Sequence, residues 1–268
     1  MAVITRNVAR PTAGQLLRWT LSDTWVMTWR NLLVWLRVPA YIVFTIVQPV
    51  IFVLLFRYVF GGAIPVNTQG GYVSYLMPGI IGQTAAFATF ATAIALAQEA
   101  KKGVVDRLRS LPMARSAFLL GRLAADAVRM MVTILVIVAI GYAVGFRFEN
   151  GVLSAIGMVL LAEAFGVTLA CVAAYIGLAI KDEESTQAFG LIWLFPLTFV
   201  SSAFVPIATM PTWLQGFASN QPVTLVINTM RALALGGPLN PSLWESLAWL
   251  AGILLVFIPL AVRAYRKV

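Results

Sequence analysis

The chain has 268 residues; 60% are hydrophobic and 11% charged, and the mean hydropathy is +0.89. A water-soluble domain carries about 25% charged residues, so this chain does not cover a water-facing surface in the ordinary way. Several apolar stretches exceed the roughly 20 residues that carry a helix across the hydrocarbon core. They are continuously apolar, not alternating, which excludes a barrel. The net charge is +9, but the basic residues sit between apolar runs, where they set orientation instead of binding nucleic acid. Histidine is absent from the sequence and Cys171 is the single cysteine. Histidine acid–base chemistry, His- or Cys-ligated metal sites and disulfides are therefore excluded.

Residues 1–15 are polar and hold no short apolar core before a cleavage site, so a cytoplasmic arm is expected from Met1 instead of a signal peptide. In residues 16–37, Trp25, Trp29, Leu32, Leu33 and Leu36 fall on one helical face, while Asp23, Arg30 and Arg37 fall on another. This pattern predicts an amphipathic helix in the membrane interface with tryptophan at headgroup level. A cytoplasmic core helix is the alternative. Transmembrane spans are expected over 39–60, 72–98, 118–146, 152–180, 187–208 and 243–262. Residues 61–71 read as a short uncharged loop, and 99–116 and 181–186 as charged loops that do not cross. Between the fifth and sixth spans the pattern breaks into two short helices, 211–219 and 222–235. Pro222 suits a first helical position, and Gly236, Gly237 and Pro238 form a stop signal. Neither piece is long enough to span, so both are expected to lie in or dip into the interface.

Lysine and arginine are concentrated on one side: the N-terminal arm, the interface helix, the 99–116 and 181–186 loops and the tail Arg263, Arg266 and Lys267. Arg147, Arg231 and Arg57 fall to the other side. The imbalance places both termini and both charged loops in the cytoplasm. There is no internal repeat of the kind that marks many secondary transporters.

Residues 98–122, QEAKKGVVDRLRSLPMARSAFLLGR, carry the strongest local signal. Val105, Leu108 and Leu111 interleave with charges, and Pro112 ends the helical stretch. The segment reads as a short amphipathic helix over roughly 100–110. Its apolar residues either insert into a groove on a soluble partner or belong to a solvated loop kept basic for topology. Glu99, Gly103, Leu111–Pro112, Arg115 and Gly121–Arg122 together resemble the signature region of ABC-2 type permeases. The segment VPIATMPTWLQGFASNQPVTLVINTMRALALGG is similar to the extracellular re-entrant hairpin of the same family. The daunorubicin-resistance-type branch, which exports drugs and lipids, is the nearest resemblance, and it covers almost the whole chain. Val104–Val105 departs from it, since many relatives carry a threonine or an acidic residue there.

The resemblance implies an all-α integral membrane fold: six transmembrane helices, an amphipathic N-terminal interface helix (residues 1–38 with its arm) and a six-span domain (39–268) with an extracellular re-entrant helical hairpin over 209–237. It implies a permease subunit in a bacterial plasma membrane, paired with a second permease, identical or homologous, above two copies of a separate ATPase. ATP and magnesium would sit on that ATPase. The coupling segment 99–116 would dock on it through Glu99, Lys101, Gly103, Asp106, Arg107, Leu108, Leu111, Pro112 and Arg115. No GxxxxGK[ST] phosphate loop occurs in this sequence. A hydrophobic or amphiphilic drug, antibiotic or lipid is the expected cargo, with a lipid-linked glycan as the alternative. A proton-driven secondary transporter is the reading from another class. No paired acids, metal cluster or Ser/His arrangement supports an intramembrane enzyme.

Within the spans, Glu163 is the outstanding ionisable residue and a functional candidate by default. It binds a cationic group in the pathway, or it is a packing or protonated acid. Arg122, Asp126 and Arg129 are spaced to pair with each other. Phe87 and Phe90 are candidates for lining a path or for packing. Pro49 and Pro196 are candidate kinks. At the hairpin, Trp213 and Phe217 are expected at the outer interface. Arg231 faces a headgroup or an extracellular acid, or it snorkels.

Overall fold

The computed structural model describes residues 13–61, 71–110, 113, 114, 116–239 and 241–267. Among these residues every regular element is helical. In chain order they are α1 (Ala13–Arg37), α2 (Pro39–Leu55) with a wide turn over Phe56–Phe60, α3 (Gly71–Lys101) and α4 (Val104–Arg109). Then come α5 (Ala117–Ala143), α6 (Gly151–Ile180), α7 (Glu183–Phe199), α8 (Thr212–Asn220), α9 (Pro222–Leu235) and α10 (Ser242–Lys267). The arm at 1–12 and most of the 61–71 loop lie outside the described residues.

Helices α3 and α6 form the centre, and small residues explain why. Lipid tails are as apolar as leucine, so helices in a membrane associate through close packing more than through burial of apolar surface. Gly79, Gly82, Ala85, Ala86, Ala93 and Ala97 make a small-residue face on α3, and Ala162, Gly166, Ala170, Ala173 and Gly177 make one on α6; all are buried. At the closest point a Cβ added to Gly177 would lie 2.2 Å from the Ala93 carbonyl oxygen. The core around this pair includes Leu76, Ile80, Ile81, Ile134, Met158, Phe165, Val226 and Ile227. By contrast α10 leaves Trp244, Trp249, Leu255, Val256 and Ile258 exposed, the expected state for a helix bordered by lipid.

Four helices are long and apolar enough to cross a membrane: α3, α5, α6 and α10. The expected first and fifth spans are shorter. Helices α2 and α7 each have 17 residues, or about 26 Å of axis against a core of roughly 30 Å. The first is prolonged by the wide turn at Phe56–Phe60. The fifth, expected over 187–208, instead runs from Glu183 to Phe199. Its early start has a clear cause. Asp182 caps the helix by accepting from the Ser185 N–H at 3.1 Å and hydroxyl at 2.9 Å, and Glu183 and Glu184 sit at the positive end of the helix dipole. The Lys101 ammonium, then these Ser185 donors, hold the Asp182 carboxyl well below the usual carboxylate range. Its early stop follows Pro196, which supplies no N–H to the last turn.

The charged segment also differs from the expected helix over 100–110. Helix α3 continues through Lys101. The chain then turns at Gly103, whose φ of +66° favours glycine, and α4 occupies only Val104–Arg109.

Gly177→Val is expected to lower the melting temperature of the detergent-purified protein, because the α3–α6 crossing has no room for a side chain; overpacking costs about 1–3 kcal/mol. Gly252→Ala, where an added Cβ meets nothing within 4 Å, is the control and should leave it nearly unchanged. Equal melting temperatures for both variants would show that the crossing is not tight.

Candidate functional site

The two ends of the helix bundle differ in chemistry. At one end lie α1, α4, the start of α5 and the loop between α6 and α7. Four of the residues expected to act at this end meet in ion pairs or expose charge there. Arg30 on α1 donates from Nη2 to Glu99 Oε1 at 2.8 Å, joining residues 69 apart in sequence. Glu99 Oε2 is buried without a hydrogen-bond partner. Lys101 Nζ lies 2.8 Å from Asp182 Oδ1, tying the end of α3 to the cap of α7. Both residues of this pair are exposed, so its contribution is small. Arg107 and Lys102 are exposed. The side chain of Asp106 and all of Leu111, Pro112 and Arg115 fall outside the described residues.

Helix α1 lies against α5. A Cβ on Gly121 would meet Met27 Cβ at 2.4 Å, so the two helices touch there nearly backbone to backbone. Met27, Thr28 and Trp35 are buried on the contact face, while Trp25 and Trp29 point outward with rings stacked 6.4 Å apart. Asp23 adds a contact that periodicity did not suggest: its Oδ2 accepts from the Ala114 N–H at 2.9 Å.

One expectation is corrected here. Val105 does not offer itself to a soluble partner. It is fully buried among Leu96, Phe118, Leu178 and Tyr265 of its own chain, with Leu108 half-buried against the same cluster. Among the described side chains of α4, Arg107 is the exposed one. Arg122, Asp126 and Arg129 pair as their spacing predicts: Arg122 Nε is 3.5 Å from Asp126 Oδ2, and Arg129 Nη2 bonds Asp126 Oδ1. Thr92 of α3 also donates to Asp126 at 2.7 Å, which locks the cluster to the central helix.

The opposite end is built around the broken end of α7. Ser201, Ser202, Ala203 and Phe204 are buried yet not helical. Buried backbone without helical partners must be bonded by something else. Tyr75 donates to the Ser202 carbonyl at 2.9 Å and Tyr72 to the Phe204 carbonyl at 3.2 Å. Gln221 Nε2 donates to the Val200 carbonyl. The Ser202 N–H donates to Thr224 Oγ1 at 3.2 Å and its hydroxyl to Asn228 Oδ1 at 2.7 Å. Helix α3 comes close enough because residue 79 is glycine; a Cβ there would lie 1.9 Å from the Ala203 carbonyl oxygen.

Arg231 completes this network instead of snorkelling. Its Nη2 donates to the Ser202 carbonyl at 2.9 Å, its Nε to the Tyr75 carbonyl at 3.2 Å and its Nη1 to Asn228 Oδ1 at 2.7 Å. The guanidinium carbon lies 3.8 Å from the Tyr75 ring centroid, a cation–π contact. Pro222 opens α9 and Gly236 closes it at φ +79°, as read from the sequence. Trp213 and Phe217 on α8 are exposed. The polar partners were not singled out from the sequence, although Thr224, Asn228 and Arg231 fall at i, i+4 and i+7 on an otherwise apolar short helix.

Between the ends, Glu163 lies mid-way along α6 with Oε2 buried and unpartnered. Phe90 packs where an added Cβ at Gly190 would reach its ring at 2.2 Å, and Phe87 meets Phe195 edge-on at 5.4 Å. Both aromatic residues therefore join α3 to α7. Among the described residues no group of His, Cys, Asp and Glu is placed to hold a metal ion.

The structure is a helical membrane bundle with an amphipathic helix docked at its charged end and a broken helix at the other. Residues 22–235 match the family model described as ABC-2 type transporter, and the chain belongs to that family. It is 32% identical over 250 residues to a daunorubicin resistance ABC transporter permease protein of Streptomyces coeruleorubidus, covering 92% of this chain and 87% of that one. It is 30% identical over 259 residues to a Mycobacterium tuberculosis protein named as a probable doxorubicin resistance ABC transporter permease, covering 96% and 93%. A doxorubicin resistance ABC transporter permease protein of the same species is 28% identical over 199 residues, covering 71% and 68%. The family implies an ATPase partner on another chain.

Arg30→Glu and Glu99→Arg are each expected to weaken the docking of α1, and the double swap to recover part of the loss. A double-mutant cycle on thermal unfolding should give a coupling energy of about 1 kcal/mol or less for this partly exposed pair. Strictly additive losses would mean that the two groups do not interact.

Proposed function

We propose that this chain is the membrane permease of an ATP-driven exporter that moves a hydrophobic or amphiphilic compound out of the cytoplasm or inner leaflet. The cargo class rests on the printed names of the relatives, which concern daunorubicin and doxorubicin resistance. Two permeases, identical or homologous, form the pathway above two ATPase subunits that hold ATP and magnesium. Helices α2 and α7, though short, complete a six-span plan with α3, α5, α6 and α10, and α8–α9 form the outer re-entrant hairpin. Both termini and the charged loops lie on the cytoplasmic side of a bacterial plasma membrane, a reading supported by the distribution of lysine and arginine.

The observation that carries the mechanism is the Arg30–Glu99 contact. It couples the interface helix to the end of α3, next to the exposed charges of Lys102 and Arg107. ATPase closure pressing on α4 thereby reaches α1 and α3 together. Val105, seated among Phe118, Leu178 and Tyr265, passes the same displacement to α5, α6 and α10. At the far end α3 carries Tyr72 and Tyr75, which hold the broken end of α7. A push at one end of α3 thus acts on the outer hairpin at the other. Glu163, with a free carboxylate oxygen, is the candidate contact for a cationic group on the cargo.

The purified chain alone is expected to hydrolyse no ATP and to co-purify with an ABC ATPase when the two are expressed together. Arg107→Glu should leave membrane insertion intact while transport of doxorubicin by the reconstituted complex falls and ATP hydrolysis persists. Transport by the lone chain driven by a proton gradient would overturn the exporter reading; unchanged transport by the Arg107 variant would remove the coupling role of α4.

A further inference from the structure

Glu163 is the one charged residue of α6 and stands mid-way along its 30 residues. Its Oε2 is enclosed without a hydrogen-bond partner. Oε1 is not enclosed, and the residue as a whole is half-buried. Among the described residues no lysine or arginine nitrogen lies within 4 Å of either oxygen. An ionised carboxylate at that depth, without a cation or a donor, is costly. Unpaired, the group rests as the neutral acid.

The neighbours of this carboxyl show which side of it is open. Ile156 and Leu160 are 50% and 57% exposed, and Ala164 is exposed as well. Steps of four residues place these three along one stripe of α6, and Glu163 borders it one turn beyond Leu160. The other border is closed. Gly166, the next turn on, packs against α5, where an added Cβ would lie 3.1 Å from Met130 Cε. The carboxyl thus lies on the seam between α5 and the lipid-facing stripe of α6, and what reaches it comes from the hydrocarbon. A single carboxyl is too small a ligand set for calcium or magnesium, which take about six or more oxygens. Among the described residues no group of His, Cys, Asp and Glu gathers there. An amine needs only one carboxyl, and the apolar stripe suits a hydrocarbon or ring body.

We propose that Glu163 is a receptor for the amine of a lipophilic weak base that enters sideways from the bilayer at the α5–α6 seam. The free-base amine is the form that dissolves in hydrocarbon. At the seam it takes the proton of the Glu163 carboxyl: the O–H bond breaks, an N–H bond forms, and an ammonium–carboxylate pair remains. The pair is neutral overall. The amine supplies both the cation and the donor that the carboxyl lacks, and Ile156 and Leu160 hold the apolar body. The site rests on the exporter reading only in making the amine a cargo; binding from the bilayer requires no ATPase.

The test is chemical modification of the full chain in phosphatidylcholine vesicles, read by peptide mass spectrometry. Dicyclohexylcarbodiimide dissolves in hydrocarbon and reacts with neutral acids. The carboxyl oxygen bonds to its central carbon, the proton goes to one nitrogen, and the acyl group then moves to the other nitrogen as a stable N-acylurea. Modification at Glu163 is expected, with loss of it in Glu163→Gln. A water-soluble cationic carbodiimide should leave Glu163 unmodified. Dodecylamine should slow the modification severalfold, and dodecanol, with the same chain and no amine, should not. No modification of Glu163, equal modification by the water-soluble reagent, no slowing by dodecylamine, or equal slowing by dodecanol would each overturn the site. The readout uses the wild-type chain and needs neither ATP nor a second subunit. Absence of ATP-driven transport therefore counts against the exporter reading and not against the amine site.

Discussion

Ser201, Ser202, Ala203 and Phe204 lie buried in a membrane protein without belonging to a helix, and every peptide group there that is not bonded costs several kcal/mol in a medium without water. Most of the hairpin end follows from that constraint. Tyr72 and Tyr75 must stand at the start of α3, Gly79 must lack a side chain, and α9 must present Gln221, Thr224, Asn228 and Arg231 on the side facing the break. The short helix α9 is thus more than a cover. With Gln221 before it, it supplies donors and acceptors for the backbone where α7 stops.

In the proposed mechanism the two ends communicate through one helix. Helix α3 has 31 residues. It carries the tyrosines that hold the break at one end and Glu99 and Lys101 at the other. Its middle is fixed to α6 by small residues and to α5 by the Thr92–Asp126 bond. In the proposed mechanism this packed helix moves as a rod and delivers a shift imposed near α4 to the broken segment. Hydrogen bonds to carbonyls can be exchanged for others at modest net cost, which suits a segment that opens and closes.

Much of this architecture was legible in the sequence, and the failures have physical causes. Long apolar runs marked α3, α5, α6 and α10 to within a few residues, because hydropathy reports directly on what hydrocarbon tolerates. The end of α7 was placed nine residues too late. Residues 200–208 are as apolar as a span, and only the local competition of Ser201 for backbone groups, after Pro196, betrays the break. The pairing of Arg122, Asp126 and Arg129 followed from helical spacing, whereas Arg30 with Glu99 is a contact across 69 residues that no local pattern encodes. Val105 was misread for the same reason: an amphipathic face states that something covers it, and here the cover is the chain's own α5, α6 and α10. Arg231 looked isolated because none of its partners is acidic: two are backbone carbonyls, which leave no mark in a sequence, and the others are the Asn228 amide and the Tyr75 ring.

The account stands on one arrangement: the charged end with α4 and the hairpin end with α8 lie on opposite sides of the membrane. Single cysteines at Arg107 and at Trp213, each in a Cys171→Ala background, test it directly when intact cells are treated with a membrane-impermeant maleimide. The account predicts that Trp213→Cys is labelled in intact cells and that Arg107→Cys is labelled only after the cells are opened. Labelling of both from the same side, or the reverse pattern, would contradict it.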